Sequence, residues 1–207
     1  SMLKDYSPNK IYIFLLRPDI RRISISRENI RLESKRDTID LSASELRKVG
    51  LNKNLIFYEI VLNHASGSKF AVKGLSRHTA VEVFGKLQKL YLDCIIEKIW
   101  PELLSVYDSW VSLLNSPYYI NNARYVAWRR DNHNIGDRIQ EHKALFELAD
   151  SDKRKILLEL GNIFQNGPEL IRARNEKFVE VELRRWENFL DSIESKPLTE
   201  NQRHAVV

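Results

Sequence analysis

The chain has 207 residues, of which 43% are hydrophobic and 29% are charged, and its net charge is +5 at pH 7. This length suits one large domain or two small ones, and the low content of glycine and proline favours helices over disorder. No run of 18 or more apolar residues is present, so we expect no transmembrane helix. The N-terminal residues Leu3–Pro8 lack the apolar core of a signal peptide. The positive charge permits contact with nucleic acid or an anionic surface but requires neither.

The cysteine content limits the redox chemistry. A single cysteine, Cys94, excludes an internal disulfide and is typical of a reducing compartment, so we expect a cytoplasmic protein. Cys94 lies on an apolar helical stripe. This position predicts a small core side chain and not a nucleophile.

The first half of the chain has the patterns of β-strands. Arg22–Ser26 and Asn29–Glu33 alternate apolar and polar residues with a period of two, as half-buried strands do. Ser42–Leu46 predicts a capped helical turn, and Ser66-Gly67 predicts the turn of a hairpin. In chain order, the predicted strands are Lys10–Leu15, Arg22–Ser26, Asn29–Glu33, Thr38–Leu41, Leu55–Leu62 and Lys69–Val72.

From Ser76 the apolar period becomes helical, which predicts a helix from Ser76 to about Trp100. We expect Pro101 to break this helix or to start a second one, Glu102–Leu114. Several short strands followed by one amphipathic helix predict an antiparallel sheet capped by that helix, an order typical of pleckstrin-homology-like domains. We place this domain at residues 2–100, and the fold class is predicted to be α+β.

Residues 101–196 are predicted to be helical and to end in a long helix, Pro168–Ser195. Asn166-Gly167-Pro168 is a stop-and-restart signal before this helix. Five of its apolar residues are spaced four, three, four and three apart, and this heptad seam is expected to pack on neighbouring helices. The seam residues are Val179, Leu183, Trp186, Leu190 and Ile193. The shorter predicted helices before it are Asn121–His133, Ile135–Leu148 and Lys155–Phe164.

The sequence contains no recognisable motif of a catalytic or metal site. Its five histidines lack His-Glu-x-x-His spacing, and one cysteine cannot form a Cys-pair metal motif. The glycine pair Gly161 and Gly167 is followed by Pro168 and not by Lys-Ser or Lys-Thr, so it does not form a phosphate-binding loop. We therefore expect no catalytic residue, metal or cofactor in this chain alone.

Basic side chains interleaved with aromatic ones indicate a candidate contact with DNA. Basic groups neutralise phosphates, and exposed aromatic rings stack on bases. The alternative is a mixed solvated face, with Tyr125 and Trp128 packed in a core. The candidate DNA-binding residues are Arg174, Lys177, Arg184, Arg185, Arg129 and Arg130.

The end of the chain carries the most specific motif. Pro197-Leu198-Thr199-x-x-Gln202-x-x-Ala205-Val206 resembles the Q motif that opens the first motor domain of UvrD/Rep-like superfamily-one DNA helicases. The resemblance implies that Gln202 binds the edge of the ATP adenine, since an amide offers both a donor and an acceptor. In that family a strand and a phosphate-binding loop follow. We therefore expect residues 197–207 to be the start of a motor domain, truncated in a piece of a longer protein.

The residues before this motif extend the resemblance. Arg174–Val179 and Glu187–Leu198 are similar to the approach to the Q motif in helicase IV-type proteins, where a long helix leads into the motor. The close similarity covers roughly the last thirty residues, and the remainder agrees in length and element order. It implies an accessory region of an ATP-dependent DNA helicase. The implied partners are DNA, the downstream motor domain or another protein, and the implied cofactors of the longer protein are ATP and Mg²⁺.

Two other functions are compatible with the sequence. One is a freestanding pleckstrin-homology-like module that binds an anionic lipid or a peptide through Lys35, Arg36 and Lys53 in predicted loops. The absence of a dense basic loop cluster counts against it. The other is a scaffold that only docks proteins in a repair or defence assembly.

Overall fold

The structure is a computed structural model that describes residues 4–194, except for the side chain of Phe14. Its N-terminal part contains two antiparallel sheets. The first has four strands in the order β1-β2-β3-β4, and the second has three in the order β5-β6-β7. The strands are β1 Lys4–Tyr6, β2 Ile20–Ile25, β3 Asn29–Ser34, β4 Thr38–Ser42, β5 Leu46–Asn54, β6 Phe57–His64 and β7 Lys69–Leu75.

Alternation along the strands decides which side chains the first sheet buries. Ile23 lies opposite Leu32 in the register of β2 and β3, and both are buried. Ile30, two residues before Leu32 and on the same face, is also buried. Arg31 points to the other face, where its Nε is 2.8 Å from Oδ1 of Asp40 across the strand pair. The predicted strands β2, β3 and β4 are therefore confirmed.

Besides the short strand β1, which was not predicted, two elements of the first half differ from the sequence prediction. Lys10–Leu16 forms a short helix, α1, and not a strand. The Asn9 side chain caps it by accepting a hydrogen bond from the Ile11 N–H at 2.9 Å, and Tyr12 packs edge-on against Phe57 at 5.1 Å. Strand β5 was not predicted, because its polar sequence hides the alternation. It is held by pairing with β6 along its length.

Helix α2, Arg77–Leu114, joins the sheets to the helical part of the chain. Ser76 caps it as predicted, since its hydroxyl accepts a backbone N–H of the first turn. Pro101 lies inside the continuous helix, so the predicted break is wrong. Proline removes one helical hydrogen bond, but α2 is held by two different cores. Its buried residues up to Leu90 pack against the sheets, and those from Leu92 onward pack against the other helices.

An aromatic cluster lies in the core of the helical part. The ring of Trp128 is 5.0 Å from Trp110 and 5.2 Å from Phe164, and its Nε1 donates to the Ser109 hydroxyl at 2.8 Å. Tyr125 is also buried, so the prediction of Tyr125 and Trp128 as core residues is confirmed. The surrounding elements are α3 Asn122–Asp131, α4 His133–His142, a 3-10 segment Lys143–Leu148 and α5 Ser151–Glu194.

Helix α5 is kinked and then leaves the core. Asn166 has φ −122° and ψ 21°, so the predicted stop-and-restart signal marks a kink inside one long helix. Apolar side chains are buried up to Ile171, but the five seam residues that follow are 44–62% exposed. The predicted packing of the seam on neighbouring helices is therefore wrong. Antiparallel sheets followed by a helical region with a long last helix confirm the α+β fold class.

Candidate functional site

The loop after α2 and the middle of α5 form an apolar groove. Asn175 is 5% exposed, and its amide satisfies both backbone groups of Ile120. Its Oδ1 accepts from the Ile120 N–H at 3.0 Å, and its Nδ2 donates to the Ile120 carbonyl at 2.7 Å. This pair fixes the loop against the helix. The groove encloses about 630 Å³, and its apolar lining is Tyr119, Ile120, Pro168, Ile171, Val179 and Leu183.

Arg174, a predicted DNA-binding residue, is bonded within the protein. Its Nε donates to the carbonyl of Leu114 at 3.0 Å, and Nη1 donates to that of Tyr118 at 2.9 Å. Its Nη2 donates to the carbonyl of Ser116. These carbonyls lie at and just beyond the end of α2, where backbone oxygens lack helical partners. The guanidinium therefore holds the loop that forms the groove, and it is not presented to a phosphate.

The apolar face continues along α5 beyond the groove. We call Val179, Leu183, Trp186, Leu190 and Ile193 the distal seam. No element among residues 4–194 covers it, since all five side chains remain largely exposed. Phe189 lies beside the seam, with its ring 6.0 Å from that of Trp186. An uncovered apolar strip on a protein surface is typical of a contact site.

Three further candidate cations lie on this part of α5. Arg184 Nη2 is 2.5 Å from Glu180 Oε1, and Arg185 Nη1 is 2.9 Å from Glu182 Oε1. Both arginines are exposed, so each pair adds little stability. Lys177 is exposed as well. These cations are accessible, but glutamates accompany them and weaken the local positive potential.

Arg129 and Arg130 come together with a residue that the sequence did not single out, His133. The three line a pocket of about 500 Å³ at the junction of α3 and α4, together with Tyr125 and Pro168. Both arginines are exposed and lie in the last turn of α3. Two guanidinium groups beside an imidazole form a surface that can bind a phosphate group, and Oδ1 of Asp131 lies 3.3 Å from Arg130 Nε. We call this surface the basic pocket.

The hydroxyl of Tyr125 lies at the inner end of this region. Within residues 4–194, it is the buried side-chain polar atom for which no hydrogen-bond partner is found. A Cβ on Gly167 would come within 2.2 Å of it, so the approach of α3 to α5 requires glycine there. Burial raises the pKa of Tyr125, and the nearby Arg129 acts in the opposite direction. Gly167, directly before Pro168, was the only indication in the sequence that α3 and α5 come this close together.

The residues expected for a lipid or peptide site lie on different elements. Lys35 and Arg36 lie in the turn between β3 and β4, whereas Lys53 lies in β5 of the other sheet. Cys94 is partly buried against the core of the sheets, and burial raises the pKa of its thiol. Residues 4–194 contain no group of three or more potential ligands that could hold a metal ion. Within the same range, no helix has the length and apolar character needed to cross a bilayer.

Comparison with known proteins assigns no family to the chain. No family model matches it, and no curated protein matches it. Gln202 and the rest of segment 197–207 lie outside the residues that the structure describes. The helicase resemblance therefore remains a prediction from the sequence.

Proposed function

We propose that the chain is the N-terminal accessory region of a UvrD-like ATP-dependent DNA helicase. The observation that carries the proposal is the distal seam, an uncovered apolar strip that directly precedes the segment resembling the Q motif. An apolar strip of this kind needs a partner. A motor domain that begins at residues 197–207 is the nearest body that would cover it.

In this proposal α5 is a strut between the accessory region and the motor. Its first half is anchored in the helical core, and α2 connects that core to the sheets. Polar contacts reinforce the connection: Lys98 Nζ donates to the Ser44 carbonyl at 2.9 Å, and Lys89 Nζ is 3.1 Å from Asp150 Oδ1. The distal half then sets the distance and direction from this body to the motor.

We assign DNA contact to the basic pocket and not to the distal half of α5. Replacing both Arg129 and Arg130 by alanine should weaken binding of a single-stranded oligonucleotide and reduce the slope of log affinity against log salt by about one per lost phosphate contact. The matched control replaces Arg184 and Arg185 by alanine and should have the smaller effect. Fluorescence anisotropy over about 50 to 200 mM salt measures both. Equal losses in the two variants would contradict the assignment.

The helicase assignment is tested on the longer gene product. Its sequence after Val207 should contain Gly-x-x-x-x-Gly-Lys-Ser/Thr within about twenty residues. In that protein, Gln202→Ala should raise the KM for ATP about tenfold by removing the adenine contact, whereas the exposed control Gln140→Ala should not. A continuation without this loop would overturn the proposal.

A further inference from the structure

The residues that flank the distal seam are mostly acidic. When the seam residues occupy the a and d positions of a heptad repeat, every flanking e position is a glutamate. Residues 179–194 contain five acidic and two basic side chains, a net charge of −3 in a chain whose total is +5. The flanking acids are Glu180, Glu187 and Glu194 at e positions, with Glu182 at a g position.

The two arginines of this segment do not change that character. Arg184 and Arg185 occupy b and c positions, on the side of the helix away from the seam. Their ion pairs with Glu180 and Glu182 join exposed groups. Such pairs are weak in water, so a cation placed across the seam by a partner can compete for the same glutamates.

We infer that the distal seam binds a helix whose apolar a and d positions are flanked by lysine or arginine. The inference rests on the proposed function only in taking the seam as a docking surface, and it adds the chemistry of the partner. Apolar contact along about 21 Å of helix, the length from Val179 to Ile193 at the α-helical rise, supplies the attraction. The acidic flanks select the partner, because cations opposite them are favourable and anions are not.

A second copy of this chain does not satisfy that chemistry. In a parallel pair, Glu182 of one copy would face Glu187 of the other. In an antiparallel pair, Glu187 would face its own equivalent, and Glu180 would face Glu194. DNA is disfavoured by the same acidic edges, because phosphates would meet glutamates along the whole seam.

Two synthetic helical peptides of about three heptads test the inference. Both carry leucine at a and d. One carries lysine at e and g, and the other carries glutamate there. The lysine peptide should bind at least about tenfold more tightly than the glutamate peptide at low salt, with the difference shrinking as salt rises.

Binding can be followed through Trp186, which is 62% exposed, whereas Trp110 and Trp128 are buried and Trp100 is partly buried. A partner that covers the seam should shift the fluorescence of Trp186 to shorter wavelength and protect its indole ring from a soluble quencher. The Trp186→Phe variant should lose that signal but retain the heat of binding in calorimetry, which separates an effect at the seam from one elsewhere.

Charge reversal makes the decisive comparison. The triple variant Glu180→Lys, Glu187→Lys, Glu194→Lys should prefer the glutamate peptide, whereas Asp191→Lys, at a b position, should keep the original preference. Replacing Leu183 and Leu190 by aspartate should abolish binding of both peptides. Equal binding of the two peptides by the unaltered chain, or self-association of the chain through the seam, would overturn the inference. Neither result bears on the downstream sequence or the ATP dependence that test the helicase proposal.

Discussion

The two halves of α5 carry the same kind of apolar periodicity but have opposite fates. In the first half five apolar side chains lie in the helical core and are at most 5% exposed, whereas in the distal seam the five side chains are 44–62% exposed. In both halves, apolar residues recur at the helical spacings of three and four. The buried members of the first half are Leu157, Leu160, Ile163, Phe164 and Ile171.

The contrast shows what the helical spacing of apolar residues can predict and what it cannot. A helical period shows which face of a helix is apolar, but not which body covers that face. In the first half, α2, α3 and α4 supply the cover. In the distal half the flanking charges are the better guide, because an acidic border selects the partner that can approach.

The largest expected difference between the halves is in stability. Leu160→Ala should lower the free energy of unfolding by about 2–5 kcal/mol, because Leu160 is fully buried and its loss leaves a cavity. Leu183→Ala, in the seam, should change it by less than about 0.5 kcal/mol. Urea unfolding of both variants measures the comparison. A large cost for Leu183→Ala would show that the seam is covered in the isolated chain.

The point where the halves meet depends on one amide. Asn175→Ala should destabilise the chain by about 1–3 kcal/mol, because both backbone groups of the buried Ile120 would lose their partner. The same substitution should loosen the loop that forms the groove. Asn188→Ala, an exposed control in the distal half, should leave the unfolding free energy unchanged. Thermal unfolding and amide exchange at Ile120 report the two effects, and full protection of Ile120 in the variant would contradict this role.

Local signals predicted those parts of the fold that local interactions determine. The alternation of β2 and β3, the Ser76 cap and the interruption at Asn166 were all visible in the sequence. Helix α1 was not predicted, because Lys10–Leu15 is as apolar as a strand. In the structure its first turn is capped by Asn9, and Tyr12 packs against the distant Phe57.

The candidate sites also depend on contacts that the sequence does not reveal. Arg174 and Arg184 look alike in the sequence, yet one is bonded to carbonyls after α2 and the other lies on an exposed face. Only the position of the loop after α2 distinguishes them. Arg129 and Arg130 were predicted as a pair, but their association with His133 depends on the angle between α3 and α4.

A smaller effect should appear as a dependence of stability on pH in the anchored part. Burial lowers the pKa of His142, which packs edge-on against Tyr91 at 5.9 Å. Glu141 acts to raise this pKa and Arg138 to lower it. Since the unfolded chain binds the proton more readily, the stabilising effect is complete above about pH 6.5 and is lost as the pH falls through the lowered folded pKa.

Substitution isolates this contribution. His142→Gln should flatten the dependence of the unfolding free energy on pH below about 6.5, whatever its effect on stability at neutral pH. Denaturant unfolding at a series of pH values measures the slopes. A slope in His142→Gln equal to that of the unaltered chain would contradict the role of His142.

The smallest effect is expected in the distal half, from the ion pair of Glu180 and Arg184. A double-mutant cycle with Glu180→Ala and Arg184→Ala should give a coupling of about 0.3–0.5 kcal/mol at low salt, because both groups are exposed and four residues apart on one helix. The coupling should shrink further as salt screens the charges. A larger coupling that resists salt would mean that the pair is protected from water. Glu180 would then be held by Arg184 and would not be available to a cation of a partner. The distal half would also be shielded from water to a greater degree than its exposed side chains indicate.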